Sequence, residues 1–141
     1  MLPTIPPDRE VLLACGKEWE AGSIVAFVDA RRLIVHRIVA VSPDRRWVVT
    51  RGDHRILPDE PFEAKDAVIG VITRIREGDS WSPPAAVTES WLQSRVLRWS
   101  LRAFDSDVER CRRRLRLTGA ILRLPRRAFS KALRLMHLKK S

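Results

Sequence analysis

The sequence predicts a mainly β domain followed by basic amphipathic helices, an α+β chain overall. Three observations carry this reading. Short runs rich in Val and Ile, bounded by turn residues, recur through residues 11–75. Beyond Pro84 the apolar spacing changes from the strand period to the helix period. The charge divides at the same place: residues 1–80 hold 12 Lys and Arg against 13 Asp and Glu, whereas residues 81–141 hold 15 against 4. The expected division is a β domain over 1–78, a linker over 79–86 and a basic helical segment over 87–141.

In chain order, the opening MLPTIPP has three prolines in seven residues and precedes a strand-like run, Val11 to Ala14. SIVAFVD (23–29) alternates and is rich in β-branched residues, and RLIVHRIVAV (32–41) is longer. SPDR, with proline at its second position, makes a turn into RWVVTRG (46–52). AVIGVITRI (67–75) is a last strand whose Gly70 marks a bulge or bend. EGDSWSPP (77–84) reads as the linker. A first helix begins with Thr88 as cap and places Leu92, Val96, Trp99 and Ala103 on one face. A second restarts with Asp105 or Ser106 as cap and carries Gly119 inside, and Pro125 breaks the pattern before RRAFSKALRLMHLKKS.

Composition excludes several classes. A hydrophobic content of 45% argues against wholesale disorder. Cys15 and Cys111 lie too far apart for a metal or redox spacing, so no metal and no cofactor is expected. No run of 18 apolar residues occurs, and Met1 is followed by prolines instead of a basic, then apolar, leader. The basic segment calls for an anionic partner, and Trp91, Trp99, Phe104 and Phe129 fall at helix-packing spacing. Packing on the β domain, or attachment to an anionic membrane surface, therefore fits it better than nucleic acid, for which no recognition module is visible. The expected location is peripheral membrane or cytoplasmic.

Of the three histidines, His137 lies in the basic tail and His54 in a turn, where solvent exposure is expected. His36 stands inside a strand, on the face of Ile34 and Ile38. Among aliphatic neighbours the neutral imidazole is favoured, and the neutral ring is a base. A hairpin register pairing Val41 with Trp47 sets His36 opposite Gly52, and a shift of one residue sets it opposite Asp53. A carboxylate then arrives beside the imidazole, and Asp59 can fold back to the same place. A structural histidine hydrogen-bonded within a sheet stands as the plain alternative to a base with an orienting acid.

The order MLPTIPP, GSIVAF, RLIVHRIVAV, WVVTRGDHRILPDEP, VIGVITRI resembles the type I signal peptidase family over residues 1–75. The similarity is to the branch, found in archaea, the endoplasmic reticulum and some bacteria, that uses histidine where others use lysine. The resemblance implies a β-rich serine endopeptidase fold, with His36 as general base and Asp53 and Asp59 as acidic partners. It also implies that Met1, Leu2 and Pro3 belong to a substrate-binding box whose nucleophilic Ser stands directly before Met1. The expectation is therefore that Met1 is not the physiological start and that the 141-residue chain alone has no peptidase activity. Ser23 stands where the family has Asp, and it heads a strand without a motif to activate it. Lys17 and Lys65 fall in loop-like contexts, which argues against Ser-Lys chemistry. The implied partner is an extended peptide or protein substrate with small side chains at the cut. The alternatives are a non-catalytic peptide-binding relative of the same fold and, third, a nucleic-acid binder acting through the Arg-rich tail.

Overall fold

Strands β1 (Val11–Cys15), β2 (Ile24–Asp29), β3 (Arg32–Val41), β4 (Trp47–Arg51), β5 (Phe62–Glu63), β6 (Val68–Glu77) and β7 (Ser80–Ser82) alternate with one short helical turn, α1 (Ala64–Ala67). Helices α2 (Trp91–Leu101) and α3 (Val108–Leu122) follow. This computed structural model describes residues 5, 9–87, 91–102 and 104–123. The expected Thr88 cap, Ala103, and everything beyond Arg123, including Pro125, Phe129 and His137, lie outside the described residues. The fold is mainly β: one antiparallel sheet in the order β1-β6-β2-β3-β4-β5, with β7 against β6.

The β-branched content of β2, β3 and β4 suits a sheet covered on both faces. On one face Val25, Phe27, Ile38, Val48 and Val71 form a core, with Ile34, Val41 and Phe62 packed against it. On the other, Val49 meets Phe104, Cys111 and Leu115, so the two helices dock on β3 and β4. Ile24, Ile72 and Ile75 form a third cluster with Ile5 and Leu13. Each buried Leu, Val or Phe contributes about 1.5–3 kcal/mol. An exposed ion pair contributes only about 0–1 kcal/mol, so apolar contact holds the described helices on the sheet.

The β3–β4 hairpin differs from the expected register at its turn and agrees with it at its far end. Val41 pairs with Val48 and Ala40 with Val49, one step from the expected Val41–Trp47 pairing. Between Ile38 and Ala40 the ladder shifts by a residue, after which Ile38 pairs with Thr50 and Arg37 with Arg51. The bulge also lets Val39 and Ala40 both face the helices while Ile38 and Val41 face the opposite core. Continuing the restored register sets His36 opposite Gly52.

Other local expectations need amendment. β7 lies inside the stretch read as linker, with Trp81 opposite Arg76. α3 is capped by Asp107, which accepts from the Arg110 amide at 2.8 Å, and not by Asp105 or Ser106. Lys65 sits in α1 and not in a loop. Gly70 marks a close approach: a Cβ there would stand 2.7 Å from the Ala14 carbonyl oxygen.

Candidate active site

β3 carries two consecutive functional side chains to opposite faces, and the loop of residues 52–61 supplies a carboxylate to each. His36 lies on the core face, where its ring meets Phe27 edge-on with centroids 6.1 Å apart. Its Nδ1–H donates to Asp59 Oδ2 at 2.6 Å, short enough for a charge-assisted bond. The same oxygen accepts from Thr50 Oγ1 at 2.8 Å, and Arg55 Nη1 approaches the other carboxylate oxygen at 3.3 Å. The Asp59 backbone amide donates to the Thr50 carbonyl at 2.8 Å, fixing the loop to the end of β4.

With Nδ1 committed as donor, the neutral ring has Nε2 free to accept a proton. Nε2 faces Gly52, where a Cβ would stand 3.0 Å from it. Glycine therefore suits this position through closeness of approach, not through a special backbone angle. A cleft of about 310 Å³ opens beside the imidazole, lined by Ile5, Ile24, Val35, Arg37 and residues 52–55. A second cleft, of about 330 Å³ around Trp19 and Arg45, contains none of the sequence-predicted site residues.

Of the two aspartates expected as partners of His36, Asp59 bonds it and Asp53 does not. The Asp53 carboxylate takes a fork from Arg37, with Nε at 3.0 Å and Nη2 at 3.2 Å. Arg37 also donates to the Gly22 carbonyl at 2.9 Å and the Ala85 carbonyl at 3.2 Å. Alternation explains the division: one residue along a strand reverses the face, so the carboxylate met by Arg37 cannot be the one met by His36. The sequence reading overlooked Arg37, Thr50 and Arg55. Arg37 was legible as a cation directly after the histidine, whereas Arg55 lies in a loop where its spacing from Asp59 carries no signal.

The remaining candidates stand apart. His54 is exposed, as expected of a turn residue. Ser23 Oγ accepts from the Glu20 amide at 3.1 Å in the turn before β2. Burial pushes the Cys111 thiol up to about 11, which keeps it protonated and unreactive, whereas Cys15 is exposed. Among the described residues no group of three or more His, Cys, Asp or Glu could hold a metal ion. Among them, too, no helix is long and apolar enough to cross a membrane. Met1, Leu2 and Pro3 lie outside the described residues. No family model matches the sequence, and no curated protein or solved structure matches it significantly.

Proposed function

We propose that this chain carries the base and the acid of a serine endopeptidase of the signal peptidase type, with the nucleophile supplied by a Ser directly before Met1. The observation that carries this reading is the His36–Asp59 pair beside an open cleft. In this mechanism Nε2 takes the proton of the serine hydroxyl as its oxygen attacks the scissile carbonyl. Asp59 holds the ring in the tautomer that exposes Nε2 and stabilises the imidazolium that forms. The proton then passes to the leaving amine, and water resolves the acyl-enzyme by the same base.

Two further features support the reading. Ile5 lines the cleft, and five residues of extended chain span at most ~18 Å. A Ser directly before Met1 is therefore within tether reach of the imidazole. The β3–β4 ladder begins at Arg37, so among the described residues no strand pairs with the 32–36 edge of β3 on that side, which suits an extended peptide running toward His36. The experiment compares the 141-residue chain with one carrying Ser directly before Met1, on a peptide with small residues at the cut. Cleavage by the second alone, lost again when that Ser becomes Ala, is the expected result.

The second reading, a non-catalytic peptide-binding relative, draws on the same β3 edge together with the position of Thr50, whose hydroxyl donates to Asp59 on the acid side of the pair. Peptide binding without cleavage by the Ser-bearing chain, or a codon other than Ser before Met1, favours it. For the basic segment, the charge of residues 81–141 supports an anionic membrane surface as partner. Cosedimentation with anionic vesicles, lost at high salt, is its test.

A further inference from the structure

We infer that α2 and α3 form a brace within the chain that positions Asp59 against His36, with Gln93, Arg112 and Arg116 as the positioning residues. The catalytic consequence rests on the peptidase reading; the brace itself does not. The loop of residues 52–61 contains no ladder pairing of its own, yet it must hold Asp59 at 2.6 Å from the imidazole. From the sheet side it is tied by the Asp59 amide and the Thr50 hydroxyl. From the other side it is tied by the helices at both ends. Gln93 in α2 is almost fully buried, and its Nε2 reaches the Asp53 carbonyl at 3.4 Å and the Arg55 carbonyl at 3.3 Å. Arg112 in α3 donates to the Pro61 carbonyl at 3.0 Å, and Arg116 forks the Glu60 carboxylate at 2.9 and 3.1 Å. Between these ties Leu57 packs against Gly119, where a Cβ would stand 3.5 Å from its Cδ1.

The division of labour supports positioning over mere docking. The helices meet the sheet through an apolar cluster, which already accounts for their attachment. The three polar side chains instead end on residues flanking Asp59, and a basic segment read as a surface for anions turns two of its arginines onto this loop. Loss of the ties should free the loop while the sheet stays closed.

The test uses the full chain labelled uniformly with ¹⁵N, following the hydrogen-bonded Nδ1–H signal of His36 by NMR, assigned with His36→Gln. In a variant combining Gln93→Leu, Arg112→Gln and Arg116→Gln, that signal should be lost or broadened while the backbone amides of β2, β3 and β6 keep their positions. Arg116→Gln alone should weaken it, and pairing Arg116→Glu with Glu60→Arg should restore it. An unchanged signal in the triple variant, or its absence from the parent chain, overturns the proposal. If the triple variant also loses its sheet amides, Arg116→Gln decides, because that side chain is exposed and its loss leaves the core intact. None of these readouts requires turnover. A Ser-bearing chain that cleaves nothing therefore sinks the peptidase reading and leaves the brace standing.

Discussion

His36 and Arg37 are neighbours on one strand, and each is bonded to an aspartate of the same loop, yet the two pairs do different work. Arg37–Asp53 is a fork between a guanidinium and a carboxylate, with side-chain exposures of 17% and 14%, and the same guanidinium also bonds backbone carbonyls at Gly22 and Ala85. It joins three segments of chain. His36–Asp59 has a single short bond, and its second ring nitrogen faces Gly52, which lines the same cleft as His36. One pair has its geometry saturated by protein. The other keeps one nitrogen for chemistry, which is why the two aspartates should separate cleanly when each is replaced.

The largest expected separation is in turnover. In the chain bearing Ser before Met1, His36→Ala abolishes cleavage. Asp59→Asn lowers kcat by roughly 10⁴-fold, the scale on which a triad acid acts through tautomer control. Asp53→Asn should fall far less, and mainly through KM, because its carboxylate faces Arg37 across the cleft wall. Equal losses in kcat from the two Asn variants would erase the distinction drawn here.

Stability should order the same variants the other way. Removing one member of a buried ion pair leaves the other uncompensated, at a cost of about 3–5 kcal/mol when burial is complete. The residual exposure of Arg37 and Asp53 brings the expected loss somewhat below that range. Thermal melts of Asp53→Asn and Arg37→Gln should therefore drop clearly, whereas His36→Ala, in a ring contact at the edge of the core, loses less. A melt in which His36→Ala is the more damaging change would make the histidine structural, the plain alternative.

Gly52→Ala sharpens the comparison from the side of the cleft. The new methyl meets Nε2 at 3.0 Å and Cδ2 at 3.3 Å, so the ring must give by a few tenths of an ångström, while Arg37 is not among its nearest contacts. Because a misplacement of about 1 Å costs about 10²-fold, this smaller one lowers turnover by less than that, with the melting temperature close to that of the parent. Undiminished turnover would show that the ring position is not demanding.

The strand pattern was legible because alternation and β-branching act locally, and His36 was placed on its face for the same reason. Two shorter elements were not. β5 spans only Phe62–Glu63 and β7 only Ser80–Ser82, lengths at which pairing with β4 and β6, not propensity, decides. The choice between Asp53 and Asp59 was also out of reach. It depends on how the loop of residues 52–61 folds back, and that is set by Thr50, Leu57 and ties to helices some 40–60 residues away in sequence. The bulge at Val39 was equally invisible, since it arises from serving two cores at once. The predicted opposition of His36 and Gly52 came from a register that is wrong at the turn and is recovered only by that bulge.

Glu60 is the third carboxylate of the loop and offers the smallest effect. The fork from Arg116 holds it below its ordinary value of 4.5, against a lesser opposing push from burial. A carboxyl whose folded value is depressed binds its proton more readily in the unfolded chain. Its contribution to stability is thus present above the ordinary value and is lost as pH falls through the folded one. Both partners are about half exposed or more, so solvent and salt screen the pair and the contribution is modest. Melting temperatures of the parent and of Glu60→Gln, followed from about pH 6 to about pH 3, should differ at the upper end and converge at the lower, with a narrower gap in high salt. A gap that survives unchanged to the lowest pH would assign the effect to packing of the longer side chains, and Glu60 would then differ from Asp53 and Asp59 in not acting through its charge.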